Sequence, residues 1–168
     1  PDSGVHEWDV RLSHCPKGHV FIGVATRECS TSTYLGHDNH GWGFICTGAL
    51  WHGHGKVKSS YGEPMRTGGV VRVTLNTHLR TLSYGNSKSG VSWGIAFRNL
   101  PSGVALHPAV GMYQRGDTVE LAVYKTYRAF LGGADRRGKR EHPTLQELQE
   151  VRLPPPTRAG ATAPRVGL

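Results

Sequence analysis

Val70-Val71-Arg72-Val73-Thr74-Leu75 alternates apolar and polar side chains. Successive side chains on a strand point to opposite faces, so Val71, Val73 and Leu75 share one face and Arg72 and Thr74 the other. Such a strand buries one side and wets the other, as antiparallel sheets do. Val119-Glu120-Leu121-Ala122-Val123 repeats the pattern, with Val119, Leu121 and Val123 expected inward.

Short β-prone runs flank these two, at Val20–Ala25, Gly43–Thr47, Leu79–Tyr84 and Val91–Phe97, and the second alternating run extends to Tyr124. Turn-formers separate them: Gly36-His37-Asp38-Asn39, Gly53-His54-Gly55, Gly68-Gly69, Pro101-Ser102-Gly103 and Gln114-Arg115-Gly116-Asp117. Many short strands at this spacing predict a sandwich or barrel. No helical period survives beyond two turns before Leu131. The reading is an all-β domain over 1–131.

Past Leu131 the composition changes. Gly132-Gly133 opens a hinge into a basic, Pro-rich tail over 132–168, expected to be flexible. Within it Thr144 and Glu147 form a capping-box pattern, and Leu145, Leu148 and Val151 fall on one side of a short helix at 144–151. Pro154-Pro155-Pro156 stops that helix. The cluster Arg136, Arg137, Lys139 and Arg140 reads as a solvated linker, with a nuclear import signal or a phosphate contact as rivals.

The 168 residues carry a formal charge of +8. Positive charge attracts polyanions, but apart from the tail cluster Lys and Arg are spread along the chain, so nucleic acid is not the expected partner. Cys15, Cys29 and Cys46 cannot all pair, which favours idle thiols in a reducing compartment. No Asn-x-Ser/Thr site occurs, and no stretch is apolar enough to be a signal peptide or span a bilayer. The expected setting is the cytosol or nucleus, away from membranes. The chain opens on Pro1 rather than Met, which reads as a piece of a larger protein.

A longer series of motifs is more specific. Gly4-Val5-His6-Glu7-Trp8-Asp9-Val10 is followed by Phe21-Ile22-Gly23-Val24-Ala25, then Tyr34-Leu35-Gly36 and Trp42-Gly43. Gly62-Glu63-Pro64 precedes Gly69-Val70-Val71; Thr81-Leu82-Ser83-Tyr84 leads to Gly94-Ile95-Ala96-Phe97 and His107-Pro108-Ala109-Val110. In this order, over residues 4–124, the series resembles the SPRY family, the core shared with B30.2 domains. The resemblance implies a β-sandwich of two antiparallel sheets, with Trp8, Trp42 and Phe97 buried and the Gly23-Val24-Ala25 strand leaving room for the opposite sheet. Gly68-Gly69 stands where the family commonly has Gly-Asp, Asn76 where an Asp is common, and Asn86–Gly90 where an Asn-Gly turn is usual.

The resemblance further implies a non-catalytic module that binds a protein or short peptide. In that family the module often forms the substrate-recruiting part of ubiquitin ligases. The pocket of peptide-binding members corresponds by order to Arg27–Tyr34 and Met112–Arg115. The expected binding residues are therefore Arg27, Thr31, Tyr34, Met112, Tyr113 and Gln114. Arg27 offers a planar fork of donors, Tyr34 and Tyr113 flat amphipathic area, and Met112 an adaptable apolar chain. The competing reading tucks Tyr34 or Tyr113 into the core. An intramolecular structural module and a basic nucleic-acid-binding domain remain the alternatives, and the isolated domain is expected to be a monomer.

Several patterns that look like chemistry dissolve on inspection. Gly90-Val91-Ser92-Trp93-Gly94 matches a hydrolase elbow, but a strand rather than a helix follows it. Gly55-Lys56 lacks the remaining phosphate-loop residues, with Leu50 and Val57 in their places. Among ten histidines, His37 with His40 and His52 with His54 lack the ligands that zinc needs. Arg115-Gly116-Asp117 is a tight turn. No cofactor or metal is expected.

Overall fold

The computed structural model describes residues 4–127. The tail with its predicted helix at 144–151, and the domain boundary at 131, lie outside the described residues. Ten strands are seen: β1 Val5–His14, β2 Val20–Ala25, β3 Gly41–Ile45, β4 Ala49–His52, β5 Gly55–Lys58, β6 Val70–Asn76, β7 Thr81–Asn86, β8 Val91–Phe97, β9 His107–Met112 and β10 Thr118–Tyr127. They form two antiparallel sheets, in the orders β10-β1-β6-β7-β8 and β5-β4-β3-β2-β9. No helix occurs among the described residues.

The alternation predicted for β6 holds: Val71, Val73 and Leu75 are buried while Arg72 and Thr74 are only half so. Their partners on β1 repeat it, with Val10 opposite Val71 and Trp8 opposite Val73. The second sheet supplies Val20, Ile22, Val24 and Phe44 to the same core. Tyr84 joins the layers: its ring lies 5.4 Å from that of Phe44, and its hydroxyl donates to the Ile22 carbonyl at 3.1 Å. Trp8, Trp42 and Phe97 are buried as expected, Trp42 stacking on His52 with ring centroids 4.7 Å apart.

Three expectations need correction. Leu121 is not inward in effect but 57 % exposed. It pairs with buried Val10, yet β10 is the outermost strand and overhangs the rim of the core. A bulge then sets Asp9 opposite Val123 and Val10 opposite Leu121, leaving Ala122 as the extra residue and breaking the predicted alternation. Leu79 lies in the β6–β7 turn, exposed, rather than opening a strand. Ala25 packs with Phe21 and Leu35 on the outer side of its own sheet rather than toward the opposite one, whereas a Cβ on Gly23 would meet the Trp42 carbonyl oxygen and, at 3.0 Å, the Tyr84 hydroxyl of the opposite sheet. Every residue of β2 is buried, because the β2–β3 loop covers its outward face.

Strands β4 and β5 were not apparent in the sequence. Their two-residue turn, Gly53-His54, has positive φ at both positions (61° and 71°), the geometry whose twist suits a tight hairpin. The stretch Trp51–Lys58 is thus mostly hairpin.

Candidate functional site

The β2–β3 connection, residues 26–40, is a strap across the outer face of the second sheet. Asp38 ties it down. Its two carboxylate oxygens accept from the backbone amides of Ser30 (2.8 Å) and His40 (2.9 Å), and the Thr26 amide donates to the His40 carbonyl at 2.8 Å. Partial burial raises the Asp38 pKa, but these amide donors outweigh it and hold the carboxyl below its ordinary value. Leu35 anchors the strap by lying over the glycines of β3. A Cβ on Gly43 would sit 2.8 Å from the Leu35 carbonyl oxygen, so the Leu35-Gly36 and Trp42-Gly43 motifs belong to one close approach.

An aromatic cluster forms where strap meets sheet. Tyr34 stacks on Phe21 with centroids 5.4 Å apart, and Trp51 meets both rings edge to face, 6.2 Å from Phe21 and 5.1 Å from Tyr34. Trp51 Nε1 is buried without a hydrogen-bond partner, an arrangement that costs about 1–3 kcal/mol. Tyr34 is therefore half-buried and packed, presenting an edge rather than a free ring.

The second group of expected residues ends β9 and enters the next turn. Val20 pairs with Met112 and Ile22 with Val110, so both β9 side chains share the face that their partners turn to the core. Because β9 is an edge strand, Val110 stays 42 % exposed and Met112 55 %. Tyr113 is 71 % exposed and meets His19 edge to face at 6.2 Å. Gln114 Nε2 lies 3.3 Å from His19 Nδ1, and the Gln114 amide donates to Asp117 Oδ2 at 3.3 Å. That carboxylate is buried, so Arg115-Gly116-Asp117 is a self-contained turn, with Gly116 at φ 88°.

The register shows which expected residues meet. Met112, Tyr113 and Gln114 lie at the Val20 end of β2, whereas Arg27 follows Ala25 at the other end, roughly 17 Å away at strand rise. The strap brings Tyr34 back toward the Val20 end, since it stacks on Phe21 and Phe21 pairs with Gly111. Thr31 is exposed on the strap. Tyr34 thus returns to the Met112–Tyr113 end of the sheet but on its outer face, whereas Met112 takes the face of Val20, and Arg27 stands apart. Sequence reasoning missed His19, Phe21 and Val110. Phe21 carried a signal, being the apolar residue out of phase with Val20 and Ile22 on the same strand.

Among the described residues no three His, Cys, Asp or Glu side chains gather as a metal site. Cys15 and Cys46 are buried free thiols and Cys29 is half-buried and free; burial raises all three pKa values, leaving no ready thiolate. Ser92, in the elbow-like pattern, accepts from the Gly94 amide at 3.2 Å on edge strand β8. No helix of the described residues is long and apolar enough to cross a membrane.

A rigid two-sheet sandwich with exposed recognition-type side chains at one rim is the build of an interaction module. The chain belongs to the SPRY domain family, whose model matches residues 5–126, and SPRY domains are protein-interaction modules, generally without catalytic activity. Ran-binding protein 9 of Xenopus tropicalis is 31 % identical over 122 residues, covering 70 % of this chain and 21 % of that protein. The Ran-binding proteins 9/10 homolog of Drosophila melanogaster is 29 % identical over 118 residues, 70 % of this chain and 12 % of that one. The chain thus matches about a fifth or less of these relatives' length. The SPRY domain of human HERC1 superposes with a TM-score of 0.58 at 19 % identity, over 72 % of this chain and 73 % of that one. The TRIM65 PSpry domain gives 0.56 at 21 %, over 73 % and 66 %. At these identities the likeness concerns the fold.

Proposed function

We propose that this SPRY domain recruits a peptide segment of a partner through the rim formed by Thr31, Tyr34, Met112, Tyr113 and Gln114. The observation that carries the reading is the exposed end of β9: Val110 and Met112 offer apolar area on one face of a strand held by pairing with β2, and Tyr113 follows directly as an exposed aromatic ring. Flat aromatic and adaptable Met side chains on a rigid support are favoured at binding hot spots. Gln114 and the strap's Thr31 add polar contacts, and Arg27 lies outside this rim. The module would act as the recruiting arm of a larger protein, such as a ubiquitin ligase. The free cysteines support a cytosolic or nuclear setting.

The test is capture of partner from cell lysate by the intact chain and by a Met112→Asp, Tyr113→Ala double variant of matched thermal stability. The expected result is loss of the captured protein in the double variant and its retention in Arg27→Ala. Unchanged capture by the double variant would remove the rim from consideration.

A further inference from the structure

At the end of the sandwich opposite Met112 and Tyr113, the β6–β7 turn and the β8–β9 loop enclose a cleft of about 410 Å³, a volume typical of sites that take a small ligand or a side chain. Leu75, Leu100 and Leu106, all largely buried, form its apolar lining, with Thr77, Arg80 and the stretch Pro101–Ala105 around them. Arg80 is the single charged residue of the lining. His78 and Arg98 adjoin the lining in sequence, and the lining itself holds no carboxylate. Among the described residues neither Arg80 nor Arg98 forms a salt bridge.

The backbone here is held in an uncommon form. Arg80 and Asn99 have φ of 53° and 56°, a left-handed conformation that side-chain-bearing residues seldom adopt. The Leu100 amide donates to the Arg80 carbonyl at 3.1 Å, locking turn to loop. Val104 stays 42 % exposed on the cleft wall. Strained backbone of this kind persists where surrounding structure fixes it, and it gathers at ligand-holding sites.

From this we infer that the cleft is a second docking site, for a partner peptide that places an aliphatic side chain of leucine type against Leu75, Leu100 and Leu106 and an adjacent carboxylate on Arg80. An apolar pocket with one guanidinium at its wall selects that pair of features, because the fork of Arg matches a carboxylate and a cationic side chain would be repelled. The site is separate from the β9 rim and does not depend on it.

The test titrates the full chain, labelled with nitrogen-15, with acetyl-Glu-Leu-Glu-amide and follows amide resonances. Acetyl-Lys-Leu-Lys-amide and acetyl-Glu-Gly-Glu-amide serve as controls. Saturable shifts at Ser102–Leu106 with the first peptide alone are expected, weakened about tenfold by Arg80→Gln, the scale of one charge-assisted contact. Val104→Asp, a change at an exposed position, should weaken binding likewise with the fold intact. Absence of shifts, equal response to the lysine peptide, shifts confined to Tyr113 and Gln114, or binding indifferent to both variants would overturn the inference.

Discussion

Arg72 grips Asp9 with two prongs, Nε 3.0 Å from Oδ1 and Nη2 3.2 Å from Oδ2, across the β1–β6 pairing that sets the two residues opposite one another. Ser87 completes the unit, its hydroxyl 2.5 Å from Asp9 Oδ2 and 2.9 Å from Arg72 Nη2. The hydrogen bonds to Asp9 raise the Arg72 pKa, so the guanidinium keeps its charge. Asp9 is buried whereas the Arg72 side chain is 40 % exposed. Removing Arg72 strands a buried carboxylate, which in a dry site costs about 3–5 kcal/mol. Water reaching the arginine side and the remaining Ser87 contact reduce this, and Arg72→Ala is expected to lose about 2 kcal/mol. Arg72→Lys should recover only part of it, for want of the planar fork. Urea unfolding of the three proteins measures the differences; a loss indistinguishable from zero would mean that the pair does not hold β1 to β6.

Gly23 makes a sharper prediction. A Cβ at this position would stand 1.8 Å from the Trp42 carbonyl oxygen, a backbone atom of the paired strand that cannot swing aside. Gly23→Ala must spread β2 from β3 and dislodge Tyr84, whose hydroxyl lies 3.0 Å from the same point. Overpacking of this kind costs about 3 kcal/mol or more. The thermal midpoint reports it, and a variant melting with the parent would show that the strands have slack.

Tyr61 links the layers and sets an alkaline limit. Its hydroxyl donates to the Gly94 carbonyl at 2.6 Å and accepts from the Tyr84 amide at 3.2 Å, and burial pushes its pKa up to about 12. The folded protein holds this proton after the unfolded chain has released it near pH 10. Stability is therefore full below pH 10 and falls as pH rises toward 12. Tyr84, raised by its own burial, steepens the fall. Tyr61→Phe should lose about 1–3 kcal/mol at neutral pH, through two unpaired backbone groups, yet show a shallower decline above pH 10. Denaturant midpoints between pH 7 and 12 check both, and parallel pH profiles would contradict the assignment.

The sandwich was legible because strands such as β6 must show one apolar face, and the motif series put Trp8, Trp42 and Phe97 inside. β2 was legible as a strand but not as one buried on both sides, since the cover comes from a strap whose path depends on Asp38, Leu35 and distant Trp51. The alternation at Val119–Val123 misled because a bulge is a matter of register, invisible in the strand's own residues. Among the expected rim residues, chain order could place Met112, Tyr113 and Gln114 together. It could not show that Arg27 stands at the far end of β2 while Tyr34 returns, which follows only from the fold-back of the strap.

The strap's dependence on Asp38 is itself testable. Both oxygens of that carboxylate are used, one on each side of the strap's turn, by the Ser30 and His40 amides. Asp38→Ala removes both acceptors at an exposed place where the amides can turn to water, so the global cost should be modest, about 1 kcal/mol. The local effect should be larger: amide exchange at Ser30 and His40 accelerates while the β2–β3 ladder, Phe21 to Ala25 against Ile45 to Gly41, keeps its protection. Acid should mimic the substitution. The Asp38 carboxyl titrates below its ordinary value when folded, so its contribution is present above the unfolded pKa and disappears as pH falls through the folded one. If the strap holds Tyr34 for the partner, Asp38→Ala will also weaken capture with Met112 and Tyr113 untouched. Unaltered exchange at Ser30 and His40 would show that Leu35 and the aromatic cluster secure the strap unaided.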